Sequence, residues 1–264
     1  MSKGGPWGGG GPARSAPPLG VLRLLGDTLR LLGAHFFFLF PIAFVPSLAL
    51  VAIEVATGAG EPIAFDPETG APPPDLSVGP FLVSFLLNVM VASVISGVMC
   101  LAALDAVIGK RHTIREYLGQ TLRHLAPIVV LGTILYILAG IGLVLFILPG
   151  LYVLARYWPW IATIVFEDTG WSGFSRAQEL TEGYRLPLIG AIALFGLLGV
   201  VILVFLMPFA ALGAEAGFVL QIPIAAAVSA IFYALIAVFI AMVYARLREI
   251  KEGMSPADIA ATVE

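Results

Sequence analysis

Residues 126–166 read APIVVLGTILYILAGIGLVLFILPGLYVLARYWPWIATIVF, a continuous apolar tract whose only charge is Arg156. A bilayer core about 30 Å thick is crossed by roughly 20 helical residues, so the tract holds about twice what one crossing needs. Pro149-Gly150 divides it into a span at 126–148 and a second at 151–166. The second part is short and contains Arg156 and Pro159, so a re-entrant hairpin that dips in and returns is the alternative. A single tilted span is the reading that the later charges reject, because it would carry every basic residue after 166 to the opposite side.

Outward from this tract, the same length rule gives spans at 35–56, 80–108, 186–212 and 218–245, six in all. The expected fold is an all-α membrane protein of six transmembrane helices over residues 19–253. It is flanked by a Gly/Pro-rich tail at 1–18, expected to be disordered, and a short tail at 254–264. The apolar stretch 35–56 is too long for a signal-peptide core and reads as a retained span. Composition agrees: 59% of residues are hydrophobic, 12% are charged, and the mean hydropathy is +1.00. Those values exclude a water-soluble globule, a disordered chain and a basic nucleic-acid binder. The single cysteine, Cys100, precludes an intrachain disulfide.

The charges are independent of apolar length and so test the spans. Lys3, Arg14, Arg23 and Arg30 precede the first span, and Lys110, Arg111, Arg115 and Arg123 separate the second from the third. Arg176 and Arg185 separate the fourth from the fifth, and Arg246, Arg248 and Lys251 follow the sixth. The alternate connections carry only acids, namely Glu61, Asp66, Glu68, Asp75 and Glu215. The positive-inside rule then makes the basic side cytoplasmic, with both termini there.

Three basic-side segments have one apolar and one charged face, the pattern of helices lying in the headgroup plane: 19–34, 113–125 and 171–184. The first two share a register, LGDTLRLL at 25–32 against LGQTLRHL at 118–125. Arg23, Arg30, Lys110, Arg111, Arg115, Arg123, Arg176 and Arg185 are the expected contacts to anionic lipid headgroups. In the last span Ala226, Ala230 and Ala234, then Ala237, Ala241 and Ala245, recur at four-residue steps, a small face expected to pack inside the bundle or against a second copy.

Few residues carry chemistry. Arg156 is the basic residue outside the basic side, expected about two turns below the far end of its span, with Glu54 as first partner and Glu215 as second. Such a pair borders an ion or anionic-substrate site or is structural; a snorkelling arginine is the plainer alternative. Asn88 is an intramembrane amide that serves as packing glue or as part of that site. Asp105 is expected to pair with Lys110 and Arg111, while Glu167 and Asp168 are expected to be solvated where the fourth span ends. His35, His112 and His124 lack metal-ligand spacing, and no metal or other cofactor is expected. No hydrolase, zincin or phosphate-loop motif occurs, so no enzyme is expected.

Leu148-Pro149-Gly150, then Arg156, Glu167 and Leu180-Thr181-Glu182-Gly183, with the exit YARLREIKEG at 244–253, resemble bacterial six-helix proteins of the glycerophosphodiester phosphodiesterase membrane-domain family. The resemblance gives Pro149, Gly150 and Glu167 the standing of motif residues. It implies an integral inner-membrane protein whose own activity is poorly defined, since the phosphodiesterase name belongs to a fused soluble barrel that these residues do not contain. The expected function is a non-enzymatic membrane organiser, or a component that binds lipid, another membrane protein or a second copy of itself. The alternative is a small-solute or lipid transporter or channel with a polar site near Arg156. A water-accessible cleft reaching Arg156 and Asn88 separates the second reading from the first.

Overall fold

With no water to bond the backbone, an apolar segment satisfies its own N–H and C=O groups by coiling, and every long apolar stretch of this chain is helical. The computed structural model describes residues 19–57, 78–110, 112–215, 217–254 and 258. The tail 1–18, Arg111 and the acidic connection with Glu61, Asp66, Glu68 and Asp75 lie outside the described residues, as do the side chains of Glu54 and Glu215.

The helices are α1 (Val21–Ala34), α2 (Phe36–Thr57), α3 (Val78–Ile108), α4 (Ile114–Arg123), α5 (Leu125–Leu145), α6 (Ile147–Tyr157), α7 (Trp160–Phe166), α8 (Gly173–Thr181), α9 (Arg185–Glu215) and α10 (Phe218–Glu252). Five of them, α2, α3, α5, α9 and α10, are long and apolar enough to cross a membrane. Their unpacked faces are apolar: Val144 is 86% exposed and Phe205 78%. In water such surfaces would drive association, but in lipid they are the expected outer face.

Helix α10 is the hub, packed against α2, α3 and α9, with α1 across its last turns. Its alanine face points inward as expected: Ala226, Ala230, Ala234, Ala237, Ala241 and Ala245 are all buried. Phe239 stacks flat on Phe195 of α9, with centroids 4.1 Å apart.

The fourth apolar segment is not one helix. It is α6, of 11 residues, and α7, of 7 residues, neither of which crosses a bilayer alone at about 1.5 Å per residue. The break falls at Trp158-Pro159, where proline begins a new helix because it has no N–H to continue the old one. The reversal after α5 sits at extended Phe146, not at Pro149-Gly150. Gly150 instead permits a close approach, since a Cβ there would lie 2.6 Å from the backbone nitrogen of Leu143. Its hydrogen lets α6 fold back directly onto α5.

The chain nevertheless leaves α7 at the end of the bundle where it entered α5. Gln120 of α4 donates to the carbonyl of Val165 at 2.6 Å, and His124 meets Asp168 at 2.5 Å. Helices α1, α4, α8 and the last turns of α10 all gather at this same end, hereafter the basic end.

The three segments expected at the basic side form helices shorter than the sequence suggested. In α4, Tyr117 and Thr121 are buried against the protein while Ile114, Leu118 and Leu122 are exposed on the other side. Thr113 and Glu116 close a capping box at its start, satisfying two terminal N–H groups. In α1, Leu24, Leu25 and Thr28 face inward, and Leu22 is left 76% exposed. The 171–184 segment becomes a single 3-10 turn, Gly170–Ser172, followed by α8.

Candidate functional site

Helix α3 carries Asn88, Ala92 and Ser96 at four-residue steps, with Val89 and Ser93 beside them, so one side of the helix bears small and polar groups. That side faces a cavity of about 440 Å³, completed by Ile128, Gly132, Thr133, Tyr136 and Ile137 of α5, Trp160 of α7 and Tyr233 of α10. Helix α3 forms the back wall, packing against both α5 and α10, and α7 packs on α3 beneath. A smaller hollow of about 40 Å³ shares Ser96, Tyr136, Trp160 and Tyr233 and reaches Ile236 and Ile240. The result is a cleft between α5 and α10 at mid-height of the long helices.

Gly132 sets its depth, since a Cβ there would come 2.9 Å from the Trp160 ring. Tyr136 is 66% exposed, and the cleft opens past it. Ser93 donates to the Val89 carbonyl and Thr133 to the Val129 carbonyl, each at 2.7 Å. Those two hydroxyls therefore turn their donors to their own helices and keep lone pairs to offer. The hydroxyls of Ser96 and Tyr136 make no hydrogen bond among the described residues. None of the residues lining the cleft carries a charge.

Asn88 is thus the one intramembrane site candidate that lines the cleft. Arg156 is elsewhere: its Nη2 donates to Gln178 of α8 at 2.8 Å, and its carbonyl accepts from Thr181 at 2.8 Å. Because α8 folds back over α6, Arg156 is held against α8 instead of standing near the far end. Gln178 is its side-chain partner, and the side chain of Glu54 lies outside the described residues.

At the basic end the charged groups close on one another. Glu167 accepts from Arg176 Nε at 2.6 Å and from the Tyr244 hydroxyl at 2.8 Å. Arg248 donates to Tyr244 at 2.8 Å and to Glu252 at 2.5 Å, and Glu252 also takes Arg176. Burial opposes the charge on Arg176, but the bonds to Glu167 and Glu252 outweigh it and raise its pKa. This clasp ties α8 and the exit of α7 to the last turns of α10.

The expected solvation does not hold for Glu167, because α8 folds back to bring Arg176 onto it; Asp168 stays exposed, as expected, while one of its oxygens meets His124. Asp168 adopts φ 57, a left-handed conformation that aspartate tolerates better than most residues. Asp105 is buried and accepts from His112 Nδ1 and from the Tyr117 hydroxyl, both at 2.6 Å. Burial, then the bond to Asp105, push the Tyr117 phenol above its ordinary pKa.

Neither a family model, nor a curated protein, nor a solved structure matched the chain.

The chemistry of the site therefore rests on its own geometry. Among the described residues no three His, Cys, Asp or Glu side chains converge as metal ligands would. The cleft offers hydroxyls, an amide and apolar walls. Such a lining suits an uncharged chain with a hydroxyl, ester or carbonyl group along it. Sequence reasoning identified Asn88 but missed Ser93, Ser96, Thr133, Tyr136 and Tyr233. The signal was present in the 88/92/96 and 133/136 spacings, which place each set on one helix face.

Proposed function

We propose that the protein is a non-enzymatic component of a bacterial cytoplasmic membrane that holds the chain of a lipid in the cleft between α5 and α10. The single observation that carries this reading is an uncharged cavity of about 440 Å³ at mid-height of the apolar helices. A hydrated ion or charged solute entering it would shed its water without a compensating charge, whereas an acyl or isoprenoid chain exchanges one apolar environment for another. The polar groups of the cleft give orientation, as a few fixed hydrogen bonds do in other apolar pockets.

In this reading the basic end faces the cytoplasm, with both termini, and α5 with α6–α7 counts as a span and a broken return. Arg23, Arg30, Lys110, Arg111, Arg115, Arg123 and Arg185 meet anionic headgroups there, each contributing about 1 kcal/mol near such a surface, while Arg176 is taken up by the clasp. The resemblance to the glycerophosphodiester phosphodiesterase membrane-domain family belongs to the same proposal, without the phosphodiesterase chemistry.

The test is photolabelling of the full chain in vesicles with a phospholipid carrying a diazirine midway along one acyl chain. Adducts are expected to concentrate on α3, α5 and α10 around Ser96, Gly132 and Tyr233, and to fall several-fold in Ser96→Phe, which fills the cleft. Adducts spread evenly over the exposed faces of α5 and α9, and unaltered by that substitution, would overturn the reading.

A further inference from the structure

A second hollow, of about 580 Å³, lies at the basic end between the start of α1, the end of α3 and the last turns of α10. Its floor is apolar, from Leu19, Val21, Leu24, Val107, Met242 and Ala245, and its rim holds Arg23, Asp27, Arg246 and Glu249. The position suits a headgroup: Leu22 on the same turn of α1 is 76% exposed, as it would be when dipped into lipid.

The charges decide which headgroup. Two cations and two anions line one hollow, giving no net charge. Arg23 and Asp27 make no ion pair among the described residues, while Arg246 holds Glu249 at 2.6 Å. A guanidinium has five donors in a planar fork, so Arg246 can keep Glu249 and its other contacts and share N–H groups with a phosphate. A purely anionic headgroup would satisfy the arginines and leave Asp27 and Glu249 repelled. A zwitterion with a protonated primary amine satisfies both sets.

We infer that this hollow is a binding site for a zwitterionic phosphoethanolamine headgroup, its phosphate on Arg23 and Arg246 and its ammonium on Asp27 and Glu249. The site adds a second lipid contact to the proposed function, at a different place from the cleft and open to a separate test. Primary ammonium matters because three N–H donors serve two carboxylates, which a quaternary amine cannot do. The apolar floor takes the glycerol end and the start of the acyl chains.

The experiment is native mass spectrometry of the delipidated full chain in detergent, titrated separately with phosphatidylethanolamine, phosphatidylglycerol, phosphatidylcholine, free phosphoethanolamine and inorganic phosphate. Phosphatidylethanolamine is expected to bind about tenfold more tightly than phosphatidylglycerol or phosphatidylcholine, the worth of one charge-assisted hydrogen bond. Asp27→Asn should bring the ratio to phosphatidylglycerol close to one while sparing phosphatidylglycerol binding. Arg23→Ala should weaken both lipids, and Arg23→Lys, which keeps the charge, guards against a folding defect. Ser96→Phe removes only the headgroup-indifferent binding of the cleft, so the preference for phosphatidylethanolamine should persist or sharpen, and loss of the cleft reading does not touch this one. Equal or tighter binding of phosphatidylglycerol by the wild type, a ratio indifferent to Asp27→Asn, or binding of free phosphate or free phosphoethanolamine as tight as of the lipid would each overturn the assignment.

Discussion

The clasp at the basic end and the cleft at mid-height treat polar atoms in opposite ways. In the clasp, Glu167, Arg176, Tyr244, Arg248 and Glu252 each meet another member of the set. In the cleft, uncharged groups are spread around an open space, and the hydroxyls of Ser96 and Tyr136 bond to nothing among the described residues. Full ionic satisfaction fixes helices in place; partial, neutral satisfaction leaves room for something else. The difference follows from cost, because a half-paired charge in a low-dielectric setting is far more expensive than a half-paired hydroxyl.

The largest expected effect breaks the clasp. Glu167→Ala removes the acceptor shared by Arg176 and Tyr244 and leaves Arg176 and Arg248 to share Glu252, and should lower stability by about 3 kcal/mol, as loss of one member of a buried ion pair does. Denaturant titration of the detergent-solubilised protein measures this, and a loss below about 1 kcal/mol would reduce the clasp to an ordinary surface network. By contrast, Ser96→Ala in the cleft should change stability by under about 0.5 kcal/mol while reducing lipid labelling. A large destabilisation there would mean that the hydroxyl holds the helices together and is not spare.

An intermediate effect concerns the fold-back that positions Trp160 beneath the cleft. Gly150→Ala drives a methyl against the backbone of Leu143 and should cost about 1–3 kcal/mol, the range for overpacking. Gly140→Ala, with nothing within 4 Å of its Cβ, should be neutral or slightly stabilising. Equal thermal shifts for the two alanines would dissolve the contrast. The smallest effect belongs to the capping box. Hydrogen bonds from the Thr113 backbone and hydroxyl hold the Glu116 carboxyl below its ordinary pKa. Its stabilisation is therefore present above the unfolded carboxylate value and lost as pH falls through the lowered one. The wild type should exceed Glu116→Gln slightly at neutral pH, and the gap should vanish in acid; a pH-independent gap would remove the carboxylate from the cap.

The five long helices and the basic-end location of α1, α4 and α8 were legible because they depend on local quantities, apolar length and charge spacing. The inward alanine face of α10 was legible for the same reason. The fourth segment was not, since counting apolar residues in 151–166 does not register that Pro159 restarts the helix or that Phe146 makes the turn. Arg156 was misplaced because its position depends on α8 folding over α6, a contact between residues 22 apart in the chain. Asn88 could be named from sequence as a polar residue in a span. The cleft it lines could not, because a void exists only where two helices, α5 and α10, stand apart on the shoulders of a third.

The most direct measurement is a high-resolution map of the full chain in lipid nanodiscs. An elongated density lying along α3 between α5 and α10, within hydrogen-bonding distance of Ser96 or Tyr136, is the expected result. Helix α5 closed onto α10, with Tyr233 packed against Gly132 and no space left between them, would contradict it.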